Sequence, residues 1–213
     1  MKKWNNFRFK ITWDVNQNPK WWIDLFILDD IVRKVLLEHR DEIELWRVHR
    51  MADIDSVRHQ LTFLCYTADK TAKSIDTSIS AKDTLKVLKD NNLLKEYFWE
   101  EKLEKNTKTN IQDGEDNWPI ELKKSWPFFI QGVSEMFLEL IAQIKNQIPD
   151  KVQPSDPISL IERYYVELEK RLLGLWYESG NRAFFHHINA VFGYAPLVAS
   201  PQTVFGIKMV ASF

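Results

Sequence analysis

Two stretches decide how this chain folds: Ile43-Glu44-Leu45-Trp46-Arg47-Val48-His49-Arg50 and Arg58-His59-Gln60-Leu61-Thr62-Phe63-Leu64-Cys65-Tyr66. Both alternate with a period of two, which suits half-buried strands, and residues 51–57 between them make a joining loop. Upstream, Phe7-Arg8-Phe9-Lys10-Ile11-Thr12-Trp13 alternates in the same way and predicts an opening strand. After Asn18-Pro19 the spacing changes: Trp22, Leu25, Phe26, Asp29, Val32, Arg33 and Leu36 follow a helical period through His39. Downstream, Ile75, Ile79, Leu85, Leu88 and Leu93 extend helical spacing from Ala68 to Tyr97, with a break near Ser80. The order strand, helix, strand, strand, helix predicts an α+β fold built on most of a ferredoxin-like split β-α-β-β-α unit, with helices over one face of an antiparallel sheet.

Residues 1–100 form that α+β part, and 101–118 read as a polar loop or linker, from Lys105-Asn106-Thr107-Lys108 to Asp113-Gly114-Glu115-Asp116. Residues 119–213 form a helical extension expected to pack on the sheet as one compact unit. Its first helix carries the stripe Trp126, Ile130, Val133, Phe137, Leu140 and Ile144. A second starts at Ser155-Asp156-Pro157 and runs through Tyr164, Tyr165 and Leu175; a third spans Asn181 to Val191 and ends at Gly193. The tail from Tyr194 to Phe213 contains the apolar run Val204-Phe205-Gly206-Ile207, which argues against a free solvated end.

The 213 residues, 45% hydrophobic, are enough for a sizeable core. Lys plus Arg number 29 against 30 for Asp plus Glu, a net charge of −1, which disfavours general binding to nucleic acid or to an anionic membrane. With one cysteine, no secretory segment and no long apolar run, the expectation is a cytoplasmic protein without disulfides. Nine Trp and thirteen Phe are enough to line a groove or a partner surface, and a homodimer is compatible with that surface.

The chain has no glycine-rich phosphate loop and no H-E-x-x-H or paired C-x-x-C, so no cofactor or metal is expected. His186-His187 makes a poor metal pair, because adjacent helical side chains point about 100° apart. Cys65, flanked by Leu64 and Tyr66 in a strand, reads as a buried, inert thiol. Trp21 and Trp22 cannot both face one core, so one of them should meet a peptide, a partner or the rest of the chain. The densest chemistry is His49, Arg50, Arg58 and His59, at the facing ends of the two central strands. Arg can hold a carboxylate in a two-point fork and His can move a proton near neutral pH; the alternative is a set of solvated edge charges that discourages strand addition.

Trp46-Arg47-Val48-His49-Arg50-Met51-Ala52-Asp53, followed by His59, resembles the hairpin of the thiopeptide-type bacteriocin biosynthesis family, written there roughly W-F-F-I/L-R-Y-x-D, a loop, then H-L-R-L-R. His187-Ile188-Asn189-Ala190-Val191-Phe192-Gly193 is similar to the family's closing H-x-N-R-L-x-G. Members eliminate glutamate from glutamylated Ser or Thr as the C-terminal domain of lanthipeptide dehydratases or as stand-alone subunits. Others join two dehydroalanines in a formal (4+2) cyclisation that ends with loss of the leader peptide.

The resemblance implies a cofactor-free lyase or cyclase acting on a precursor peptide with a leader segment, in some settings beside a glutamylating dehydratase subunit. By position it implies catalytic roles for Arg50, His59 and His187 and a substrate contact for Asn189; Trp46 in the same motif, Trp22, and His49 and Arg58 of the strand-end cluster are the further substrate-contact candidates. Where the family places Arg after the strand His, this chain has Leu61 and Phe63; an earlier His of the last-helix motif is Phe185, and the Arg after Asn189 is Ala190. Fewer guanidinium groups weaken the case for handling a glutamate leaving group. Cyclisation is therefore expected over elimination, because holding two reacting ends together contributes about 7–11 kcal/mol without ionic groups. A partner subunit that binds peptide without turnover is the alternative.

Overall fold

The computed structural model describes residues 2–53, 58–100 and 118–191. The elements are β1 (Lys2–Ile11), α1 (Trp21–Ile27), a π-helical turn (Leu28–Val32), α2 (Arg33–Glu38), β2 (Leu45–Ala52), β3 (His59–Ala68), α3 (Asp69–Ser80), α4 (Asp83–Asp90), β4 (Leu94–Glu100), α5 (Ile120–Lys145), α6 (Ile158–Leu175), a second π-helical turn (Trp176–Gly180) and α7 (Asn181–Val191). The strands form one antiparallel sheet in the order β2-β3-β1-β4. The chain skips a strand between β1 and β2 and again between β3 and β4, which is the split β-α-β arrangement within an α+β fold.

One element departs from the sequence expectation. Helical spacing continues to Tyr97, yet the helix stops at Asp90 and the chain turns into β4. Asn92 sits at φ 55, a left-handed conformation that Asn tolerates better than most residues. The amide of Leu93 then donates to the carbonyl of Leu88, closing the helix end. Tyr97-Phe98-Trp99 prefers a pleated, half-buried surface, and pairing with β1 supplies one. The break near Ser80 is present, between α3 and α4.

Register sorts the side chains. Phe7 opposes Phe63 and Trp99, Phe9 opposes Leu61 and Tyr97, and Ile11 opposes His59, so these share one face. Val48 and Arg50 join that face through Phe63 and Leu61. Phe7, Phe9, Leu61 and Phe63 are completely buried there, and each such ring or branched chain contributes roughly 1.5–3 kcal/mol. On the other face Trp4, Leu45 and Leu64 cluster beneath Trp126 and Ile130 of α5.

Helix α5 closes the sheet at the β2 edge. Gln131 Oε1 accepts from the Trp46 amide at 3.1 Å and Ser134 Oγ from the Val48 amide at 3.1 Å, so outward-facing strand N–H groups are satisfied by side chains of a helix. Farther along, Phe137 lies over Arg50, and Lys145 reaches Asp29 in the first π-helical turn. One helix thus runs from the Trp4 face of the sheet, past its edge, to the helical layer on the opposite face.

The chain divides into two compact units, Met1–Glu169 and Lys170–Phe213, with the division inside α6; of the expected linker 101–118, residues 101–117 lie outside the described residues. In the second unit Trp176 and Phe184 are in ring contact at 6.4 Å, and a Cβ at Gly180 would come within 2.7 Å of the Trp176 ring. Helix α7 has the predicted bounds, while Gly193 and the tail from Tyr194 lie outside the described residues. Among the described residues no helix is long and apolar enough to cross a membrane.

Candidate functional site

The candidate site grows from one acidic residue in an apolar run. Trp22-Ile23-Asp24-Leu25-Phe26-Ile27 is entirely buried, and Asp24 is 0% exposed. A carboxylate in that position must find cations or hydrogen-bond donors. Two partners come from the central strands: His59 Nε2 lies 3.0 Å from Asp24 Oδ2, and Arg50 Nε and Nη2 each lie 3.4 Å from the same oxygen. Arg50 Nη2 also donates to the Trp21 carbonyl at 3.1 Å. His59 opposes Ala52 and Arg50 opposes Leu61, so Arg50 and His59 are diagonal neighbours on one face of the hairpin.

Aromatic rings surround Arg50 and His59. The Arg50 guanidinium carbon is 5.0 Å from the Trp21 ring centroid and 5.4 Å from that of Phe137, a cation held between two π-faces. Trp21 also meets His59 edge-on at 4.9 Å, and Trp13 does so at 6.4 Å. His59 is fully buried, whereas Trp21 is half-buried and 24% of the Arg50 side chain is exposed. Solvent therefore reaches the cluster at Arg50.

Among the described residues, buried Asp24 Oδ1 and His59 Nδ1 have no hydrogen-bond partner. Glu169 of α6 completes the electrostatics: burial raises its pKa above the ordinary Glu value, the Arg50 charge opposes that rise, and Asp24 adds to it. Glu169 is thus a half-buried carboxyl with a raised pKa that feels the Arg50 charge, a group able to carry a proton near an anion binder.

His49 lies on the opposite face of β2 from Arg50, which separates it from the cluster. Desolvation, followed by the Arg47 charge, lowers its pKa; the residue as a whole is exposed, so Arg47 is the firmer of the two causes. Arg58 is exposed at φ 60 immediately before β3, with its carbonyl accepting from the Asp53 amide. The four-residue grouping of His49, Arg50, Arg58 and His59 thus resolves into Arg50 with His59.

Trp46 shares the Arg50 face and is buried opposite Cys65. Trp22 is buried in the core, its indole N–H without a hydrogen-bond partner among the described residues, and it is Trp21 that meets Arg50 and His59. Burial pushes the Cys65 thiol far up, which fits an inert core residue. His187 is exposed on α7, in the second unit; Asn189 lies on the same helix. Among the described residues no group of three or more His, Cys, Asp or Glu is placed to hold a metal ion.

Sequence reasoning did not assign Asp24, Phe137 or Glu169. Asp24 had a readable signal, a lone charge inside six otherwise apolar residues. Phe137 and Glu169 had none, because only the tertiary packing of α5 and α6 brings them to Arg50. No family model, curated protein or solved structure matches the chain.

Proposed function

We propose that this protein acts on a ribosomally made precursor peptide during maturation of a peptide natural product, as a cyclising or condensing enzyme more than a glutamate-eliminating one. The supporting observation is the convergence of Arg50 and His59 on buried Asp24, with Arg50 open to solvent between aromatic rings and Glu169 in electrostatic reach. In this reading Arg50 holds a carbonyl or carboxylate oxygen of the peptide, and Glu169 exchanges a proton with it. Asp24 and His59 fix the guanidinium, and Trp21 supplies the apolar wall. Cyclisation is favoured over elimination because Leu61 and Phe63, at the positions where the resembling family carries Arg, are wholly buried in the core and add no charge for a glutamate leaving group.

A second reading, a peptide-binding partner subunit without turnover, is favoured by a different fact. His59 and Asp24 are both completely buried, and Arg50 already donates to Asp24 and to Trp21. Mass spectrometry separates the readings. The purified protein is incubated with a peptide carrying two dehydroalanines and with one glutamylated on Ser, and binding is followed in parallel. A cyclised mass or leader release from the first, lost in Arg50→Ala and reduced in Glu169→Gln, is the expected result. Loss of glutamate from the second would restore elimination. Binding without a mass change would select the partner subunit, and neither binding nor a mass change would remove the peptide assignment.

A further inference from the structure

Most of the hydrogen-bonding capacity of the Arg50 guanidinium is committed within the fold. The group is planar, with its N–H donors set in a fixed fork. Nε and Nη2 both reach Asp24 Oδ2, at 3.4 Å each, and Nη2 also donates to the Trp21 carbonyl at 3.1 Å. Gripping a carboxylate at two points takes parallel N–H groups on two different nitrogens, and a guanidinium has two such edges, Nε with Nη2 and Nη1 with Nη2. Asp24 occupies the first edge, and the Trp21 carbonyl takes the Nη2 hydrogen of the second. Nη1 is left without a partner among the described residues, and it is not buried.

Two further facts bound what can meet Nη1. The Trp21 and Phe137 rings stand over the guanidinium at 5.0 and 5.4 Å, so a ligand comes in along its plane. The positive charge is also balanced already: fully buried Asp24 lies against it, and Glu169, whose titration feels Arg50 and Asp24, adds a second carboxyl. An incoming carboxylate finds a single nitrogen in place of a two-point fork, with acidic groups behind it, and leaves one of its oxygens unpaired as it loses water. A neutral carbonyl loses nothing on either count, because one oxygen is satisfied by one donor.

We infer that Arg50 selects an uncharged carbonyl group, through Nη1, and discriminates against free carboxylates because Asp24 and the Trp21 carbonyl already fill its two-point edges. This rests on the peptide reading above and narrows it: the oxygen held is that of a backbone or dehydroamino-acid carbonyl, not the free carboxylate of a glutamyl group. The full chain labelled with ¹⁵N-arginine is titrated, at mildly alkaline pH where Glu169 is ionised, with N-acetyl-dehydroalanine methylamide and separately with N-acetyl-dehydroalanine as its carboxylate. The Arg50 guanidinium resonance, identified by its loss in Arg50→Lys, is followed. The methylamide is expected to shift it with a Kd about tenfold lower than that of the carboxylate. Glu169→Gln should narrow that ratio, and Asp24→Asn, once circular dichroism shows it folded, should narrow it further, because each removes a charge that repels the carboxylate. Equal or tighter binding of the carboxylate at Arg50, or a ratio that Glu169→Gln does not move, overturns the inference and leaves the peptide reading standing. A resonance that neither compound moves overturns both the inference and the assignment of the peptide site.

Discussion

The helical segment from Trp21 to Glu38 carries two sets of buried carboxylates, and they are satisfied in opposite ways. Asp24, in the α-helical part, is held by His59 and Arg50 from the sheet, under the Trp21 ring. Asp29 and Asp30, in the π-helical turn, are held by other helices and by their own. Asp29 accepts from Tyr165 at 2.7 Å and pairs with Lys145, while Asp30 pairs with Lys34 and accepts from Thr84. A π turn inserts a residue into the helix, which lets two successive acids reach different partners.

The second set is a fastener, in that every partner belongs to a helix that must be positioned. Tyr165 and Tyr164 pay witness to it in their titration: burial and the Asp29 charge push Tyr164 up to about 12 and Tyr165 higher still. The first set ties the sheet to α1 and holds a partly exposed guanidinium against two aromatic rings. Neither burial nor unsatisfied valence separates the two sets, since among the described residues Asp29 Oδ1 lacks a hydrogen-bond partner as Asp24 Oδ1 does. The kind of partner does: a ring-flanked guanidinium and an imidazole from the sheet in the first set, lysines and hydroxyls from helices in the second.

Asp24→Ala leaves a guanidinium and an imidazole facing an apolar interior, and urea unfolding should show a loss of about 3–5 kcal/mol. Adding Arg50→Met to that variant should recover part of the loss, because the cost lies in the unpaired charge. Asp29→Asn should cost less, about 1–3 kcal/mol in the same assay. Its amide oxygen still accepts from Tyr165, and Lys145, whose side chain is 30% exposed, can turn to water. Trp21→Ala removes one ring from Arg50 and the edge contact on His59, for an expected loss of about 1–2 kcal/mol, with peptide binding weakened if the cluster is the site.

The smallest effect is a pH dependence. The Glu169 pKa is raised in the folded state, so the native protein holds this proton to higher pH than the unfolded chain does. Its contribution to stability is therefore lost as pH rises from the ordinary Glu value through the raised one. Glu169→Gln should flatten the stability profile in that window and leave it unchanged below, as read by urea midpoints at a series of pH values.

Much of the fold could be read from the chain because alternation and helical spacing are local signals. β1, the β2–β3 pair, the α3–α4 break and the three later helices all follow from them. β4 was hidden because Leu85, Leu88 and Leu93 extend a helical period past the Asn92 stop, and only pairing with β1 favours the extended form. The site was half legible. Arg50 and His59 stand out as strand cations, but pleating sends His49 to the other face, which loop-end proximity in sequence does not reveal. Asp24 is visible only if a lone acid in an apolar run is taken as a demand for a cation.

The most direct test of the Asp24 junction is the ring nitrogen spectrum of His59, recorded by ¹⁵N NMR on the wild type and on Asp24→Asn. The geometry predicts a proton on Nε2, hydrogen-bonded to the carboxylate and slow to exchange with water, and a marked change in that signal in the variant. A His59 whose Nε2 carries no proton, or whose spectrum is indifferent to Asp24→Asn, would contradict the account.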